Sequence, residues 1–160
     1  MIKKSAAIFV VTTCSTVVFG NEPVEELAVT DRQRNLVGES ISASQGYVDQ
    51  LEIKLRPLLR TGELLELVPG MVATQHSGSG KANQYFLRGF NLDHGTDFAT
   101  FVDGMPVNMR THGHGQGYTD INFIIPELVD SLAYKKGPYY TEVGDFSGAG
   151  SASFNMASRL

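Results

Sequence analysis

Tryptophan is absent from this sequence, and cysteine occurs once, at Cys14. That cysteine falls inside an N-terminal segment with the pattern of a secretory signal. Lys3 and Lys4 make a positive start, Ala6 to Phe19 is uncharged and mostly apolar, and Val18 and Gly20 are small enough to flank a cleavage site. The pattern predicts residues 1–20 as a signal peptide and a mature chain from Asn21. Thr13 suits poorly the place before a lipidated cysteine, so lipidation is not expected. Loss of Cys14 with the signal would exclude disulfides, cysteine nucleophiles and thiolate metal sites from the mature chain. Export without disulfides suits a bacterial envelope protein. Long hydrophobic runs are missing as well. The stretch from Ala6 to Phe19 is shorter than the ~20 residues a spanning helix needs, and no later segment is apolar enough to span. Basic charge is scarce: the net charge of −4 argues against nucleic acid as a partner, because phosphate binding wants a basic face.

What remains is the composition of one folded domain. Apolar residues make up 42% and charged residues 19% of 160, so a core can form and wholesale disorder is excluded. The 17 glycines predict many turns and few long helices.

Residues 21–45 are polar and read as a flexible linker with one apolar patch, Leu27-Ala28-Val29. Gly46 to Leu59 reads as a short strand or an irregular packed segment, through Tyr47, Val48, Leu51, Ile53 and Leu55, with Pro57 limiting any helix. Thr61 to Val68 is the clearest helix. Thr61 is its expected cap, Glu63 sits near the positive end of the dipole, and Leu64, Leu65 and Val68 share a face. Pro69-Gly70 stops it. The period then changes to two, predicting strands at Met71–Thr74, Gln84–Phe90 and Asp97–Val102, with a tight turn at Asp103-Gly104. Two loops rich in Gly, His and Ser lie at His76–Lys81 and Asn108–Thr119. Ile121 to Ile125 is an apolar run closed by Pro126. Glu127–Lys135 reads as a turn of helix running into a strand, and Ser151–Met156 as a last strand. The aromatics at Tyr85, Phe86, Phe98, Phe101, Tyr139 and Tyr140 suit half-buried strands.

Spacing rejects several catalytic patterns. Gly80-Lys81 resembles the end of a phosphate loop, but Gln75 and Ala82 occupy its defining Gly and Ser/Thr places. Gly113, Gly115 and Gly117 alternate, which is not dinucleotide spacing. No serine sits in a nucleophile elbow, and nothing brings His76, Asp97 and Ser77 together as a hydrolase triad. His112 and His114 remain. Two residues apart in an extended segment, they point the same way and could meet one metal ion, with His94, Asp93 or Asp120 as further ligands. The plainer alternative is a solvated loop whose histidines pack on tyrosine.

A series of short motifs carries more weight. In order they are Leu64-Leu65-Glu66-Leu67-Val68-Pro69-Gly70-Met71, Arg88-Gly89-Phe90, Val102-Asp103-Gly104-Met105-Pro106, Pro126-Glu127-Leu128-Val129-Asp130 and Tyr134-Lys135-Lys136-Gly137-Pro138. This order and spacing resembles the plug domain of TonB-dependent outer-membrane receptors, over about residues 46 to 156. The resemblance implies an α+β fold over residues 46–160: a small mixed central sheet, short helices and long loops, seated inside a barrel of about 22 strands that is normally in the same chain.

The resemblance also implies a role. Glu26, Leu27, Ala28, Val29 and Thr30 are similar to a TonB box, the extended segment that adds a strand to the energy-transducing partner TonB. Arg88 would contact the barrel wall. Ser131 stands where the family commonly has a second arginine, so a two-arginine lock is not expected. Gln75, His76, Lys81, Asn83, Arg110, His112, His114, Gln116 and Tyr118 would line the loops that meet the ligand. The implied function is gated, energy-coupled uptake of a metal chelate such as a siderophore, or of another scarce nutrient. Neither enzymatic activity nor a resident cofactor is implied. The place would be the outer membrane as part of a receptor, or the periplasm for this chain alone. Barrel strands are not found after the last plug motif, so the sequence reads as a fragment, a truncated product or a plug encoded alone. The alternative is a soluble periplasmic metal-binding protein using His112 and His114.

Overall fold

The computed structural model describes residues 39–76 and 80–158, all within one compact unit, Asp31–Leu160. The expected signal peptide, most of the linker and the TonB-box-like segment lie outside the described residues.

The described residues begin inside the segment expected to be linker. Strand β1 (Glu39–Ser42) pairs with β2 (Gln45–Asp49), and the Ser42 hydroxyl closes their turn by accepting the N–H groups of Ser44 and Gln45. β2 runs directly into a helix, α1 (Gln50–Leu55). The expectation of a strand or irregular segment here was half right. Asp49 is the feature that converts strand to helix: its carboxylate accepts the Glu52 N–H at 2.8 Å, and the helix ends at Arg56, before Pro57.

Thr61–Leu67 forms a 3₁₀ helix. Thr61 is not its cap. The Glu63 carboxylate instead reaches back to the N–H groups of Leu59 and Arg60, at 2.8 and 3.3 Å. Leu64, Leu65, Leu67 and Val68 are buried by this turn. Pro69-Gly70 then redirects the chain into β3 (Met71–Thr74), which pairs antiparallel with β4 (Gln84–Leu87). The run expected to continue to Phe90 breaks at Arg88-Gly89. Both residues have positive φ, +53° and +81°, and they turn the chain back into β5 (Phe90–Asn91). These strands form a small sheet in the order β3-β4-β5.

The larger sheet adds β6 (Phe98–Val102), β7 (Met105–Pro106), β8 (Val129–Lys136) and β9 (Gly150–Met156), in the order β1-β2-β8-β9-β6-β7. β6 and β9 are parallel and the other pairs antiparallel, so the sheet is mixed. The fold is α+β, as expected. Asp103-Gly104 makes the β6–β7 turn, with φ of +48° and +79°. Asp103 also staples β9: its N–H donates to the Phe154 carbonyl and its carboxylate accepts the Met156 N–H, both at 2.8 Å. Gly150 lets β9 approach β8. Any Cβ there would collide with the Lys135 carbonyl oxygen, and its φ of +146° suits glycine alone.

One core joins the two sheets. Val48, Leu64, Leu67, Val68, Ile121, Leu132 and Phe154 are fully enclosed. Each large apolar side chain buried in this way contributes about 1.5–3 kcal/mol, which is what holds the short helical turns in place.

Candidate functional site

Three segments meet at one end of β4 and β6: residues 75–76 and 80–83, the turn 93–97 and the loop 108–119. Backbone bonds fasten them. Met109 and Tyr118 form an isolated antiparallel bridge, and the Thr119 N–H donates to the His94 carbonyl at 2.7 Å. The Tyr118 hydroxyl accepts the Ala82 N–H at 2.7 Å. Asn108 ties the rest. Its side-chain oxygen accepts the Thr100 N–H at 2.7 Å, and its amide nitrogen lies 3.1–3.2 Å from the carbonyls of Gly95, Phe98 and Gly117. Gly95, at φ +100°, packs so closely on the Thr119 side chain that a Cβ would stand 2.6 Å from it.

All four histidines of the chain gather here. The His94 ring lies 4.9 Å from that of His76 and 4.4 Å from that of His114, centre to centre, and 5.4 Å from Tyr118. His112 stacks on the other part of Tyr118, at 3.9 Å and 15°. His94 is buried, while His76, His112 and His114 are exposed.

The hydrogen bonds fix which ring nitrogens are free. His94 Nδ1 lies 2.9 and 3.1 Å from the carbonyl oxygens of Ala82 and Asn83. Carbonyls only accept, so Nδ1 carries a proton, and in the neutral ring Nε2 is the nitrogen with the free lone pair. That Nε2 faces Asp93 Oδ1 at 3.7 Å. His112 is the reverse: its Nδ1 accepts the His114 N–H at 3.1 Å. The expected pairing of His112 and His114 on one ion is therefore not what the loop assembles. The backbone turn at Gly113 sends His112 to Tyr118 and His114 to His94. Ligand atoms of Asp93, His94 and His114 lie within 4.8 Å of one another, whereas Asp120 does not join them. The His114 pKa is lowered below the ordinary 6.5 by desolvation first, then by His94 and Lys81, with Asp93 opposing.

The other expected residues divide. Gln75, Lys81 and Gln116 are exposed. Arg110 is exposed and ion-paired to Asp145 at 2.9 Å. Asn83 and Tyr118 are buried, Asn83 against Gly62 and Tyr118 beneath the histidines. They support the loop surface and do not form it, because their positions at the loop ends lie where the chain re-enters the core.

Arg88 sits on the β4–β5 turn, exposed, and among the described residues its guanidinium has no ion-pair partner. Its neighbour, Lys136, carries no local pattern that would announce it. This lysine is buried, with its Nζ 5.5 Å from the Tyr134 ring centre and 3.5 Å from the Pro69 carbonyl oxygen. Burial first, and then the Arg88 charge, lower its pKa. Ser131, in the place of the missing arginine, is buried and accepts a bond from Asn155.

Comparison with known proteins gives a consistent picture. The model of the TonB-dependent receptor plug domain family matches residues 38–151. Among solved structures, the siderophore receptor PirA from Acinetobacter baumannii is similar at 19% identity and a TM-score of 0.56, over 74% of this chain and 18% of that one. The copper transporter OprC is similar at 22% identity and 0.57, over 78% and 18%. A mutant of the ferric enterobactin receptor PfeA from Pseudomonas aeruginosa is similar at 21% identity and 0.57, over 75% and 18%. The chain thus spans less than a fifth of the length of these three proteins, and the likeness is one of fold.

Proposed function

The chain belongs to the TonB-dependent receptor plug domain family, and from that premise we propose that it is the gate of an outer-membrane receptor for energy-coupled uptake of a metal chelate such as a siderophore, or of another scarce nutrient. The match of the family model across both sheets carries this reading. The surface is compatible with it. Leu59, Phe90, Met105, Phe123, Ile125 and Tyr139 are each more than half exposed. Apolar side chains scattered over a surface are ordinary in water, and they also suit a domain enclosed by a barrel wall.

In this reading the loops 75–83 and 108–119 meet the ligand. Arg88, exposed and without an ion-pair partner among the described residues, faces carboxylates of the barrel, with Lys136 buried behind it. Ligand binding shifts the population toward a state in which residues 26–30 are free to add a strand to TonB, and tension then moves the plug aside. The shift is limited by the difference in ligand affinity between the two states. The soluble metal-binding alternative rested on His112 and His114 acting as a pair, and the side-chain geometry does not bring those two to one ion.

Plug exchange tests the proposal. The chain is joined in frame to the barrel of PirA in place of that receptor's own plug. An unplugged barrel admits large antibiotics that the outer membrane normally excludes. Restored exclusion is expected. Cells that stay sensitive while the hybrid is folded in the outer membrane would contradict the gating role.

A further inference from the structure

We propose that Asp93, His94 and His114 form a binding site for one divalent late first-row transition-metal ion, such as Zn²⁺, Ni²⁺ or Cu²⁺. The site does not depend on the barrel or on TonB, and so goes beyond the gating role.

His94 is the central observation. A histidine that ligates a metal through one nitrogen almost always donates the other N–H to a carbonyl or carboxylate, which fixes its tautomer and raises its basicity. His94 has that arrangement twice over, with the Ala82 and Asn83 carbonyls on Nδ1. Its ring is only 3% exposed, yet Nε2 has no hydrogen-bond partner among the described residues and faces Asp93 at 3.7 Å. Asp93 is held in the left-handed region, at φ +49°, with its N–H bonded to the Asn91 side chain at 2.8 Å.

The distances suit a small rearrangement. Bonds of about 2.0–2.1 Å at a tetrahedral angle place ligand atoms about 3.3 Å apart. The present spread, up to 4.8 Å, closes by rotation of Asp93 and His114, which are both exposed. Lys81 is the nearby cation that opposes binding, and Asp93 offsets it. Two neutral imidazoles and one carboxylate favour Zn, Ni and Cu over Mg and Ca, which want oxygen alone. Three protein ligands leave a position for a donor atom from an incoming complex, and His76 stands beside His94 as a further nitrogen within reach.

The test is a calorimetric titration of the full chain, purified without a polyhistidine tag, with Zn²⁺, Ni²⁺ and Cu²⁺. One ion per chain is expected, with a Kd of micromolar order or below. Asp93→Asn and His114→Ala each weaken it at least tenfold, while Thr111→Ala, in the same loop, leaves it unchanged. Melting without metal establishes that the variants fold, and added metal raises the Tm of the parent but not of His114→Ala. The proposal is overturned if no ion binds below about 100 μM, or if binding survives both Asp93→Asn and His114→Ala.

Discussion

Asn108 makes three contacts with backbone groups of the 93–97 turn and β6 and a fourth within its own loop, at Gly117, and so does for the loop 108–119 what a short strand would do. Its importance was invisible beforehand, since an asparagine in a glycine-rich loop looks like any turn residue. His94 was visible only as one possible ligand among several, because its tautomer is set by carbonyls about ten residues upstream. Arg88 was legible as a fixed charge, but its neighbour Lys136 was not, because β8 brings it there from far along the chain. Lys136 carries a prediction. Its folded pKa is depressed below the ordinary 10.5, by burial and then by Arg88. The unfolded chain therefore holds the proton more tightly than the folded one, and the charged side chain opposes folding at every pH below the folded value. The penalty is relieved as pH rises through that value towards 10.5. Lys136→Met, which keeps the apolar stem, is expected to raise the Tm at neutral pH, with a gain that shrinks on the alkaline side. A lower Tm at pH 7 would contradict the burial argument.

At the scale of elements, the turns were the most legible features. Pro69-Gly70 and Asp103-Gly104 sit where they were expected, since few other residues tolerate those backbone angles. Strands with period-two burial were legible for the same local reason: β4 alternates throughout, and β8 does so from Leu132 to Lys136. Helix α1 was missed. Val48, Leu51, Ile53 and Leu55 mix both periods, so the pattern could not say where the strand stops. Asp49 decides it. Asp49→Ala is expected to cost about 1 kcal/mol of unfolding free energy, read from urea denaturation. A loss within error of zero would mean that packing of Ile53 alone holds the helix. The 3₁₀ form of Thr61–Leu67 was also missed, because Glu63 can close the turn from inside and leaves Thr61 nothing to cap.

For the molecule as a whole, the mixed character of the large sheet comes from β6 lying parallel to β9, with Val102 opposite Phe154. No local pattern reports a pairing across such a separation. The motif series carried that information instead, through its resemblance to a family. The same long-range folding gathers histidines 94, 112 and 114 around Tyr118, with His76 beside His94, and it replaces the pair expected from spacing with a different set. The exposed apolar side chains and Arg88 belong to this scale as well, since the proposed gating role sets both against an enclosing barrel.

The central claim is that this domain passes a pull from TonB to a gate. Its most direct test is the affinity of the purified full chain for the periplasmic domain of TonB from the same organism. A Kd of micromolar order is predicted, weakened at least tenfold by Leu27→Pro, which removes a backbone donor from the added strand. No measurable binding, or binding that Leu27→Pro leaves unchanged, would contradict the account.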